Sequence, residues 1–150
     1  MFKTVKFTLL SVFFFCATIV NAQTETKEPI SESFFKTFKK DPAQAYTDLF
    51  KDNKWMKDKQ ADIETVKIKL KSFLDGLGQY YGYEFIIEKA AGKSYIYKSF
   101  LVKYERQPIR FSFLLYKPDT EWQIQNFTYD TNIESEIEEA AKAYRLRENW

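Results

Sequence analysis

The chain of 150 residues carries 23 Lys and Arg against 21 Asp and Glu, with one cysteine and no histidine. Lys3, Lys6 and Cys16 all fall in a segment that reads as cleavable, and without the two lysines the charge balances, so no general electrostatic pull toward nucleic acid or anionic lipid is expected. Disulfide frameworks, cysteine nucleophiles, Ser-His-Asp triads and the usual zinc sites are thereby excluded, no cofactor is expected, and any catalysis would have to use carboxylates, Tyr, Lys or Arg.

Residues 1–22 have the pattern of a secretory signal peptide: Lys3 and Lys6, an apolar run from Phe7 to Val20, and the small-residue cleavage pattern Val20-Asn21-Ala22. The apolar run is about 14 residues, short of the roughly 20 that a membrane-spanning helix needs. Phe13, Phe14 and Phe15 stand where a lipobox before Cys16 would carry small residues. The expected location after cleavage near Ala22 is secreted or periplasmic, with no transmembrane segment in the mature chain.

Residues 23–30 are polar, contain Pro29 and have no periodicity, so they read as a flexible leader. Residues 31–150 then form one domain of a size that can close a core without staples. Ser31 is placed to cap a short helix with an apolar edge of Phe34, Phe35 and Phe38. Asp41-Pro42 opens a second helix, since the aspartate caps free amides and a proline in the first position forgoes only an amide without a helical partner. That helix buries Ala45, Tyr46, Leu49 and Phe50, and Asn53 lies in the polar break after it.

The longest helical pattern runs from about Asp58 to Leu74. Ile63, Val66, Leu70, Phe73, Leu74 and Leu77 form one stripe, Lys67, Lys69 and Lys71 lie largely away from it, and Gly76 and Gly78 supply the stop. Beyond Gly78 the period changes to 2, and four strands fit: about Tyr83 to Lys89, Ser94 to Glu105, Ile109 to Lys117 and Glu121 to Tyr129. Their short connections predict an antiparallel meander.

In the first strand Tyr83, Phe85 and Ile87 share a face, and in the third Ile109, Phe111, Phe113 and Leu115 make the core face. The second strand has aromatics on both sides and leaves its core face open. In the fourth, Trp122 and Ile124 are out of phase with Phe127 and Tyr129, which predicts a bulge at Gln125-Asn126. Thr131 and Glu134 are spaced as a capping box for a last helix with the edge Ile133, Ile137, Ala141 and Tyr144. Its acidic residues come first and Lys142, Arg145 and Arg147 last, as the helix dipole favours.

The fold class is therefore α+β, with N-terminal helices packed on a curved four-stranded antiparallel meander and a C-terminal helix. Helices opening like DPAQAYTDLF, the long amphipathic helix and the meander ending in YKPDTEWQIQNFTYD resemble the NTF2-like (SnoaL-like) superfamily over about Ser31 to Asp130. The resemblance implies a curved sheet wrapped round a long helix and a cone-shaped cavity that different members use for small ligands, catalysis or protein contacts. It supplies no superfamily-wide catalytic residue, and the helix after Thr131 departs from the commonest pattern. A cystatin-like wrap is the rival fold.

Eight tyrosines fall between Tyr80 and Tyr129. They suit a cavity of amphipathic rings between the long helix and the sheet, with Tyr83, Phe111, Phe113, Trp122, Phe127 and Tyr129 as its lining and a small amphipathic molecule as its ligand. They equally suit ordinary strand packing. Glu84, Glu105 and Asp130 are the acids nearest these rings, and each is better explained by solvation or capping than by acid–base chemistry. Asp130, Asn132 and Glu134 imitate the start of a calcium loop, but Ser135 stands where its sharp turn needs glycine. The preferred reading is a non-enzymatic interaction or envelope-associated module, with a contact surface at Tyr116, Leu114 and Ile86 that would give a homodimer through the sheet.

Overall fold

The computed structural model describes residues 29–148, with side chains to residue 145. The expected signal peptide, most of the leader, Cys16 and Arg147 lie outside those described residues or side chains. In chain order the elements are α1 (Ile30–Phe38), α2 (Pro42–Phe50), a 3-10 helix (Lys54–Lys59), α3 (Gln60–Asp75), β1 (Tyr80–Ala90), β2 (Tyr95–Tyr104), β3 (Ile109–Tyr116), β4 (Gln123–Asp130) and α4 (Ile133–Glu148). The strands form one antiparallel sheet in the order β1-β2-β3-β4. The chain is thus α+β, with helices before the meander and one after it.

The helix starts differ from expectation in two places. Pro29, not Ser31, precedes α1, and its carbonyl accepts the amides of Glu32 and Ser33 at 2.9 and 3.0 Å. Ser31 lies inside the helix and is buried. Asn132 rather than Thr131 precedes α4. In α2 the expected chemistry is present: Asp41 Oδ1 accepts from the Gln44 amide at 2.9 Å, and Pro42 takes the first helical position.

The largest correction concerns which helix sits on the sheet. The rings of α1, not the stripe of α3, cover its centre: Phe34 lies 5.1 Å from Phe113 and 5.4 Å from Phe127, Phe35 5.1 Å from Phe100, and Phe38 5.2 Å from Phe111. The edge-to-face pairs among them each add about 0.5–1.5 kcal/mol beyond the area they bury. Of the α3 stripe, Ile63, Leu70, Leu74 and Leu77 are buried, and Phe73 packs on Tyr129 with ring centres 5.5 Å apart.

Register settles the faces of the strands. Phe100 pairs with Phe111 and Val102 with Ile109, so the even-numbered side of β2 belongs to the core. In β4, Leu114 stands opposite Asn126 but Leu115 opposite Ile124, so Gln125 is the extra residue and Ile124 and Phe127 are both buried. The bulge therefore lies where the phase break placed it. The β1 ladder shifts twice, between Tyr80 and Gly82 and between Phe85 and Ile87, and the later shift breaks the expected alternation. Phe85 pairs with Phe100 while Ile87 pairs with Ser99, leaving Ile86 unpaired and turning Ile87 to the opposite face from Phe85.

Candidate functional site

The structure does not gather the six candidate residues around one space. Phe111 and Phe113 are 0% exposed and Phe127 is buried, all three packed against the α1 rings. Tyr83 stacks on Phe35 at 3.7 Å and lines an open groove with Lys36, Lys39 and Tyr81 between α1 and β1. Trp122 lines a separate cleft of about 190 Å³ with Leu49, Asn53 and Ile124, and Lys117 Nζ lies 5.2 Å above its ring. Tyr129 rests on Phe73.

The acids near the sheet are held by structural partners. Glu84 takes Lys103 Nζ at 2.7 Å across β1 and β2, Glu105 accepts the Gln79 amide at 3.3 Å, and Asp130 binds Arg110. That last pair is bidentate. Arg110 Nε and Nη2 both reach the Asp130 carboxylate, at 3.1 and 3.0 Å, and Nη1 contacts Glu136 at the start of α4. The hydrogen bond to Glu136, then those to Asp130, raise the Arg110 pKa against an opposing effect of burial. Asp130, one end of the calcium-loop imitation, is thus engaged by a cation. No group of three or more Asp or Glu able to hold a metal ion occurs among the described residues.

Burial, more than neighbouring charge, raises the pKa of the Tyr46, Tyr80 and Tyr104 phenols. These hydroxyls remain neutral over the physiological range and act as hydrogen-bonding tips on packed rings.

The face of the sheet turned away from α1 offers a different surface. Cross-strand pairs Tyr97–Leu114, Ser99–Ser112 and Leu101–Arg110 line it, with Ile87 opposite Ser99 on β1. Ser99 and Ser112 are small enough to be sheltered by the larger side chains around them. The Tyr97 hydroxyl and Ser112 Oγ lie 2.9 Å apart, whereas Ser99 Oγ is buried with no hydrogen-bond partner among the described residues. On the outer strand Ile87 continues this surface and Ile86 is exposed beside it, whereas Phe85 packs against Phe100 on the α1 side.

Leu114 and Tyr116 therefore lie on the surface expected of them, and Ile86 stands at its edge in the β1 bulge. The Ser99–Ser112 floor escaped sequence reasoning, although two serines in neighbouring strands were the available signal. No helix among the described residues is long and apolar enough to cross a membrane. No family model, curated protein or solved structure matches the chain.

Proposed function

We propose that the protein is a secreted, non-enzymatic interaction module of NTF2-like type that receives a partner protein on the sheet face opposite α1. One observation carries this reading: α1 packs on one face of the sheet, while the other presents Ile87, Leu101, Leu114 and Tyr116 with a sheltered serine floor. A solvated face of an antiparallel sheet is ordinarily polar, and here these apolar side chains lie among Glu84, Lys103, Arg110 and Asp130, the mixed composition of a non-obligate contact surface. The engagement of Glu84, Glu105 and Asp130 in structural bonds supports the non-enzymatic half of the proposal.

Site-specific photo-crosslinking in the native host tests it. A photoreactive residue replacing Tyr116 is expected to give a discrete protein adduct, and one replacing the exposed Ile68 on α3 is expected to give none. Adduct from both positions, or from neither, counts against the proposal.

A further inference from the structure

The last helix presents a second exposed surface. Ile133 is half-buried, but every residue from 134 to 145 is exposed, including Ile137 and Tyr144 at 64% each. The helix thus has an amphipathic pattern whose apolar edge, at Ile133, Ile137 and Ala141, borders an open groove beside Gln107 and Pro108 and is not covered by another element among the described residues. Over 16 residues it is about 24 Å long. The Glu136–Arg110 contact ties its first turn to the sheet, giving each copy of the protein the same starting direction for this helix.

We infer that α4 pairs in antiparallel fashion with α4 of a second copy, about a two-fold axis near Ala140 and Ala141. Ile133, Ile137, Ala140, Ala141 and Tyr144 form the apolar seam, and the two alanines let the backbones approach. The charges select the direction. Glu134, Glu136, Glu138 and Glu139 occupy the first half and Lys142 and Arg145 the second, so a parallel pair would set acid against acid. Antiparallel pairing sets each acidic half against a basic one, with Glu138 and Lys142 also bridged within each helix at 3.3 Å and Glu136 held by Arg110.

The flanks agree. Glu134 and Arg145 are separated by about three helical turns and share one side of the seam. In an antiparallel two-fold pair that side meets itself, which brings Glu134 to Arg145 of the partner subunit. The pairing uses the apolar edge of α4, not the sheet face around Leu114 and Tyr116, and does not depend on the function proposed above. Two helices of this length bury less than a standard protein interface, so the dimer is expected to dissociate in the range of about 10–100 μM.

Sedimentation equilibrium of the purified protein from about 1 μM to about 1 mM covers that range. Ile137→Lys changes an exposed position and is expected to abolish the dimer while leaving the melting temperature unchanged. Glu134→Arg and Arg145→Glu are each expected to weaken association about tenfold, and the two together to restore it to within about threefold of wild type. Tyr116→Lys, on the sheet face, is expected to leave the dimer intact. A monomer throughout the range, a dimer that survives Ile137→Lys, or a double variant no better than the singles would overturn the pairing.

Discussion

Arg110 and Asp130 face each other as the last registered pair of β3 and β4, joined by a two-nitrogen grip of guanidinium on carboxylate. Asp130 Oδ1 also accepts the Asn132 amide at 2.9 Å, so the same carboxylate shapes the turn into α4. Lysine has a compact ammonium that cannot reproduce the planar fork. Arg110→Lys is therefore expected to lower stability by about 1–2 kcal/mol, measured by urea unfolding. Amide exchange in the first turn of α4 should accelerate in the same variant, because its tie through Glu136 is lost.

The corner between α3 and β1 depends on Gly78. Its φ is +76°, and a Cβ there would stand 2.7 Å from Glu105 Oε2, the oxygen that accepts the Gln79 amide. Gly78→Ala combines an unfavourable backbone region with displacement of that carboxylate. A loss of about 1–3 kcal/mol is expected. Gly92→Ala, with positive φ but open space around it, should cost less in the same denaturation assay.

Asn53 fastens the α2 connection to the sheet. Its Nδ2 donates to the Ile124 carbonyl at 2.9 Å, beside the β4 bulge, while Oδ1 accepts the Trp55 amide at 3.0 Å. The residue is buried, so Asn53→Ala strands both backbone groups. A destabilisation of about 1–3 kcal/mol is expected by thermal or urea unfolding. Asn53→Asp should also destabilise at neutral pH, because a carboxylate has no proton to donate to that carbonyl.

Alkaline pH should unfold the protein in a manner traceable to its packed phenols. Tyr46, Tyr80 and Tyr104 all titrate above the ordinary value of 10.0 in the fold, chiefly because burial opposes the phenolate. The native state therefore keeps protons that the unfolded chain releases, and unfolding free energy falls as pH rises. Their contribution should be level below about pH 9 and decline from about pH 10 upward. Tyr104→Phe retains the ring and should flatten that decline, read from urea midpoints at a series of pH values.

Local chemistry made several elements legible from residue types alone. Asp41-Pro42 marks the start of α2, and the phase break between Ile124 and Phe127 locates a bulge the ladder contains. The β1 bulge at Ile86 leaves no such mark, because Phe85, Ile86 and Ile87 are consecutive apolar residues and a one-step slip among them changes no pattern. Likewise, an amphipathic stripe indicates that a helix face is buried without naming what buries it. Two apolar helical edges competed for the sheet, and the phenylalanines of α1 occupy the place expected for α3. The same ambiguity affects the candidate lining: an inward Phe111 looks alike in sequence whether it borders a void or touches Phe38.

The plugging of the sheet by α1 has a consequence for the order of events in folding. Phe34 is among the first residues of the domain to leave the ribosome, and Phe127, one of its ring contacts, follows roughly ninety residues later. A nascent chain carries three phenylalanines whose native seat has yet to be synthesised, so α1 locks only after β4 emerges. Loop closure on that scale slows assembly, and the waiting rings are natural targets for a holding chaperone.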